Sequence, residues 1–92
     1  MTEREAIVAK LAEVLEAETT ASAEPLRGSE DVSLRDGLNI DSVDLVGVIM
    51  RIEEFYRIRL AHEELARVNT VRDLVDLVQA KRAEVASLPA AA

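Results

Sequence analysis

The chain has 92 residues, of which 49% are apolar and 32% charged, with no cysteine and a net charge of −7. This is the composition of one small globular domain; it excludes disulfides and thiolate metal sites, and its charge argues against nucleic acid and anionic membranes as partners. The longest apolar run, Leu45 to Met50, is far too short to span a bilayer, and the acidic N-terminal MTEREAIVAK is unlike a secretory signal.

The expected location is therefore the cytoplasm. The expected partner is a protein with a basic docking face. Phe55 and Tyr56 are the only aromatic residues, so the core must be built from Leu, Ile, Val and Ala.

Thr2-Glu3-Arg4-Glu5 has the capping-box form, a hydroxyl followed three residues later by a glutamate. Ile7, Leu11, Val14 and Leu15 then recur at helical spacing, which predicts a helix to about Ala17. The stretch ETTASAEPLRGSEDVSLRDG carries Pro25, Gly28, Gly37 and many small polar residues, and reads as a long loop. A loop of this length in a small domain needs pinning, for which Val32, Leu34 and Leu38 are suited.

A second helix is expected from Asp41 or Ser42 to Tyr56. At 100° per residue, Val43, Leu45, Val46, Ile49, Met50, Ile52 and Tyr56 spread over more than half of its circumference. Asp44, Gly47, Arg51 and Glu54 fall in one narrow wedge. That pattern predicts a helix central to a bundle, with one stripe facing solvent.

Arg57-Ile58-Arg59-Leu60 alternates like a strand, but no other segment offers a partner, so an extended loop is expected. A short helix follows over roughly Ala61 to Arg67, with Leu65 facing inward. Thr70-Val71-Arg72-Asp73 repeats the hydroxyl-x-x-acid cap. Val71, Leu74, Val75 and Val78 supply the stripe of a last helix ending near Arg82 or Val85. The fold class is all-α: a small antiparallel four-helix bundle with three longer helices, one short helix and a long first loop. Residues 1–85 form the domain and 86–92 a frayed tail, and the chain is expected to act as a monomer.

Local chemistry supplies no enzyme. A nucleophilic Ser42 needs a base, and the single histidine, His62, lies in the short third helix with nothing to hold it near Ser42. One histidine and scattered carboxylates make no metal site, and no Gly-rich loop opens a helix to cradle phosphates. Asp41 and Asp44 flank Ser42, but acids are favoured at any helix start by capping and by the helix dipole. On these grounds alone Ser42 is an ordinary first-turn residue, and the expectation is no catalytic residue and no metal.

The stretch LNIDSVDLVGVIMRIEEFYRIRL resembles the prosthetic-group segment of the acyl carrier protein family. Leu38, Ile40, Asp41, Ser42 and Val43 stand where that family has its Leu-Gly-x-Asp-Ser-Leu motif. Ile52, Glu53, Glu54, Ile58 and Leu60 match the pattern downstream, and VNTVRDLVDLVQ resembles the family's last helix. The likeness runs in order over roughly residues 3 to 82.

The resemblance implies that Ser42, within a motif that includes Asp41, receives 4′-phosphopantetheine from coenzyme A through a separate phosphopantetheinyl transferase, making the chain a phosphoprotein. Acyl or polyketide intermediates would ride as thioesters and be passed to an acyltransferase, a ketosynthase or other acyl-processing enzymes. The working thiol would then come with the arm, as suits a chain without cysteine.

Two departures stand out. The family's motif glycine is Asn39 here, the residue next best suited to a left-handed turn. Fatty-acid carriers of the family have a glutamate where this chain has Gly47 and a small neutral residue at Arg51. The resemblance makes Asp44, Gly47, Arg51 and Glu54 the partner-docking face, and the departures suggest a dedicated carrier of polyketide or related specialised biosynthesis. A fatty-acyl carrier, an aminoacyl or peptidyl carrier, and an unmodified helical adaptor are the alternatives.

Overall fold

The structure, a computed structural model of the chain, describes residues 2–19, 24, 30–34 and 41–87. Among them are four helices: α1 (Glu3–Glu18), α2 (Ser42–Tyr56), α3 (His62–Leu65) and α4 (Val71–Ser87). They form the expected small antiparallel bundle, in which α1 packs against both α2 and α4.

The caps legible in the sequence are in place. Thr2 Oγ1 accepts from the Glu5 N–H (3.1 Å), and Glu5 Oε1 accepts from the Thr2 N–H (2.9 Å), which closes the box at the start of α1. At α4, Thr70 Oγ1 accepts from the Asp73 N–H, while Asp73 Oδ2 accepts from the N–H groups of Asn69 and Thr70. Those two backbone donors hold the Asp73 carboxyl below its ordinary range. The short α3 spans His62–Leu65, with Leu65 half-buried against the core.

The core is wholly aliphatic. Ile7, Leu11, Val14 and Leu15 of α1 meet Val48, Ile49 and Ile52 of α2 and Val71, Leu74, Val75 and Val78 of α4. Each large side chain so buried contributes roughly 1.5–3 kcal/mol relative to exposure. Ile58 and Leu60 are buried while Arg57 and Arg59 are exposed, so the alternation after α2 belongs to an extended segment laid on the core. α4 runs to Ser87, two residues beyond the later of the expected ends. The rest of the expected tail, and Leu38 among the expected pins, lie outside the described residues.

Val32 and Leu34 do pin the first loop, Leu34 fully buried and Val32 packed against the core. Periodicity did not reveal how the backbone there is satisfied. Ser33 and Thr70 form an isolated antiparallel bridge. Around it the Leu34 N–H donates to the Asn69 carbonyl (2.9 Å), Val71 N–H to Val32 (3.0 Å) and Arg72 N–H to Glu30 (2.7 Å). The loop thereby supplies acceptors to the first turn of α4, whose N–H groups have no partner within the helix.

Arg4 ties the same loop from the other side. Its Nε donates to Glu30 Oε1 (2.9 Å), and Nη1 donates to Asp76 Oδ1 (2.7 Å) and Gln79 Oε1 (2.8 Å). One guanidinium thus joins α1, the loop and α4, a task for a planar fork of donors rather than an ammonium. Arg4→Met should cost about 1 kcal/mol in urea unfolding and speed hydrogen exchange at the Leu34, Val71 and Arg72 amides. Unchanged exchange at those three amides would mean that the backbone bonds alone hold the loop.

Candidate functional site

α2 begins where the sequence placed it. Asp41 is the N-cap, in extended backbone, and its Oδ1 accepts from the Asp44 N–H (2.8 Å). Its carbonyl accepts from the Leu45 N–H (3.0 Å), so Ser42 is the first residue of the helix proper. The helix stops at Arg57, the one non-glycine residue with positive φ among those described (55°). The N–H groups of Arg57 and Ile58 both donate to the Glu53 carbonyl, and Glu53 Oε2 accepts from the Leu60 N–H (2.9 Å).

The exposed face of α2 is wider than the expected wedge. Arg51 and Glu54 are exposed, Asp44 and Gly47 are half-exposed, and a Cβ added at Gly47 would meet nothing within 4 Å. Val43 (79%), Val46 (56%) and Met50 (60%) are exposed as well. The expectation that the apolar circumference is buried on most sides is corrected here. α1 packs against one side of α2 through Val48, Ile49 and Ile52, and positions 43, 46 and 50 lie along the other. Val48, fully buried, was not among the residues expected to face the core.

Arg51 is not a free charge. Its Nε donates to Glu18 Oε1 at the end of α1 (2.6 Å). That bond, reinforced by the charges of Glu18 and Glu54, raises the Arg51 pKa above its ordinary value. The pairing joins residues 33 positions apart, so no local pattern could have signalled it. Beside it Lys10 Nζ lies over the Phe55 ring, 3.9 Å from the centroid. His62 is exposed in α3, and among the described residues no group of three or more His, Cys, Asp or Glu could hold a metal ion.

A phosphodiester suits the start of α2. The N-terminus of a 15-residue helix favours negative charge, although Asp41 and Asp44 offset part of that gain. Residues 5–78 match the model of the phosphopantetheine attachment site family. The chain is also 32% identical over 77 residues to an acyl carrier protein of Coprothermobacter proteolyticus, covering 84% of this chain and 92% of that protein.

The chain belongs to the acyl carrier protein family.

Solved structures agree. The acyl carrier protein of Thermotoga maritima superposes with a TM-score of 0.81 at 27% identity, covering 91% of this chain and 95% of that one. The oxytetracycline acyl carrier protein superposes with a TM-score of 0.64, also at 27% identity, over 100% and 93%. This acyl carrier protein therefore works through a covalent 4′-phosphopantetheine, whose thiol holds the acyl group as a thioester. It serves a phosphopantetheinyl transferase and acyl-processing enzymes. No helix among its described residues is long and apolar enough to cross a membrane.

Proposed function

We propose that Ser42 is the attachment residue and that this carrier serves a polyketide or related specialised pathway in the cytoplasm, as a monomer that presents cargo and performs no chemistry of its own. The observation that carries the assignment is the position of Ser42 at the head of α2, directly after the capping Asp41 and inside the span matched to the attachment-site family. The single domain of residues 1–85 suffices for this role. Incubation with coenzyme A, Mg²⁺ and a broad-specificity phosphopantetheinyl transferase should add one phosphopantetheine to the intact mass. No increment on folded protein across several transferases would favour the unmodified adaptor.

The docking face supports the dedicated pathway. Gly47 leaves bare helix where fatty-acid carriers of the family carry a glutamate, and Arg51 spends its charge on Glu18. An acyltransferase or ketosynthase of the carrier's own pathway would meet an apolar strip with few free acids. Gly47→Glu with Arg51→Ala should raise kcat/KM with fatty-acid synthase enzymes, roughly severalfold, through faster association. The glutamate itself should stabilise α2 by roughly 0.5–1 kcal/mol, because it replaces a mid-helix glycine and meets open space. A more stable variant with unchanged kinetics would leave the dedicated-pathway reading without support.

A further inference from the structure

Val43, Val46 and Met50 lie on one line along α2, at spacings of three and four residues, and the same line continues past Glu53 and Glu54 to Arg57. At its far end is a shallow depression of about 350 Å³ lined by Met50, Glu53, Glu54, Arg57, Ile58 and Arg59. The Glu53 carboxylate is turned onto the Leu60 N–H, so the outward charges there are Glu54 against two guanidiniums.

Most of the described cations are paired. Arg4, Lys10, Arg51, Arg72, Lys81 and Arg82 are each held by a carboxylate. Arg57, Arg59 and Arg67 are exposed and have no acidic partner among the described residues, despite a net charge of −7, and of these Arg57 and Arg59 lie together at the end of α2. Ile58 and Leu60 are buried on either side of Arg59, which fixes the segment and keeps both guanidiniums on the solvent side.

The exposed face of α2 is therefore polarised. Asp41 and Asp44 stand at the Ser42 end, the apolar strip lies between, and Arg57 stands about 22 Å further along, at 1.5 Å per residue, with Arg59 just beyond the helix end.

We infer that this face docks on a partner enzyme whose surface presents carboxylates opposite Arg57 and Arg59, an apolar ridge opposite Val43, Val46 and Met50, and cations only at the Ser42 end. The inference rests on reading α2 as the docking helix. An acidic carrier is expected to need a uniformly basic partner; the free arginines require the opposite charge at one end. The polarity also sets direction, because docking α2 in reverse brings like charges together at both ends. In the favoured direction the phosphodiester end faces the partner's cations, where the arm must enter.

The probes are two synthetic 16-residue helical peptides with the same leucine ridge, one ending in two glutamates and the other in two lysines. The Glu-ended peptide should shift the Met50, Arg57 and Arg59 amide resonances. It should bind Arg57→Glu/Arg59→Glu roughly tenfold more weakly than the parent, the scale of two exposed pairs turned from attraction to repulsion. The Lys-ended peptide should gain affinity for that variant. Arg57→Gln/Arg59→Gln should fall between, and guards against a folding defect in the reversal.

Equal binding of the Glu-ended peptide to parent and variants would overturn the inference. So would a concentration-dependent dimer of the parent that the reversal dissolves, since the face would then belong to a second copy. Phosphopantetheinylation of the parent is read separately by intact mass. Loss of that modification in the parent would count against the Ser42 assignment, not against the charged end of α2.

Discussion

Ser42→Ala should abolish phosphopantetheinylation completely and leave the fold intact. α2 owes its start to Asp41, whose carboxylate takes the Asp44 N–H and whose carbonyl takes the Leu45 N–H. Ser42 occupies the first helical position, where alanine is at least as good a helix former. Its removal should therefore change stability by no more than about 0.5 kcal/mol.

The complementary substitution behaves oppositely. Asp41→Ala removes the cap and should cost about 1 kcal/mol, while retaining a residue that can be modified. Intact mass after transferase treatment, read beside urea unfolding, separates the two residues. A modified Ser42→Ala protein would move the attachment site elsewhere. A Ser42→Ala protein that unfolds early would make the serine structural. The absence of any base near Ser42 in the sequence is then intelligible, because a transferase supplies the chemistry and the carrier supplies the acceptor.

Much of this was legible in the chain because it is local. Thr2 with Glu5 and Thr70 with Asp73 are caps written in four residues each, and both form as read. The α1 and α4 stripes are buried as their spacing requires. Asp41 and Ser42 stand at the head of α2 because an acid before an apolar helical run is itself the start signal.

What failed to show was long-range or unsided. Arg4 with Glu30 and Asp76, and Arg51 with Glu18, join residues far apart in sequence. The bridge at Ser33 and Thr70 needs the folded loop to exist. On α2, hydrophobicity alone could not say which apolar side faced the bundle. Val43, Val46 and Met50 read as core and are surface, an exposed apolar strip of the kind the proposed docking role would use.

That sidedness gives the second large prediction. Ile52 and Met50 are neighbours on α2, both large and apolar, yet Ile52 is 1% exposed and Met50 60%. Ile52→Ala should cost about 2–5 kcal/mol, since the side chain is fully buried in the aliphatic core, which can close the gap only partly. For a chain of this size total stability is about 5–14 kcal/mol, so the variant stands near its unfolding threshold at 37 °C. Met50→Ala should shift stability by less than about 0.5 kcal/mol.

Urea unfolding followed by circular dichroism measures both. Equal losses at the two positions would return Met50 to the core and dismantle the exposed strip. A large loss at Ile52 with none at Met50 fixes the face of α2. The apolar surface left at position 50 then stabilises no part of the fold, which leaves it available for the docking proposed for this face.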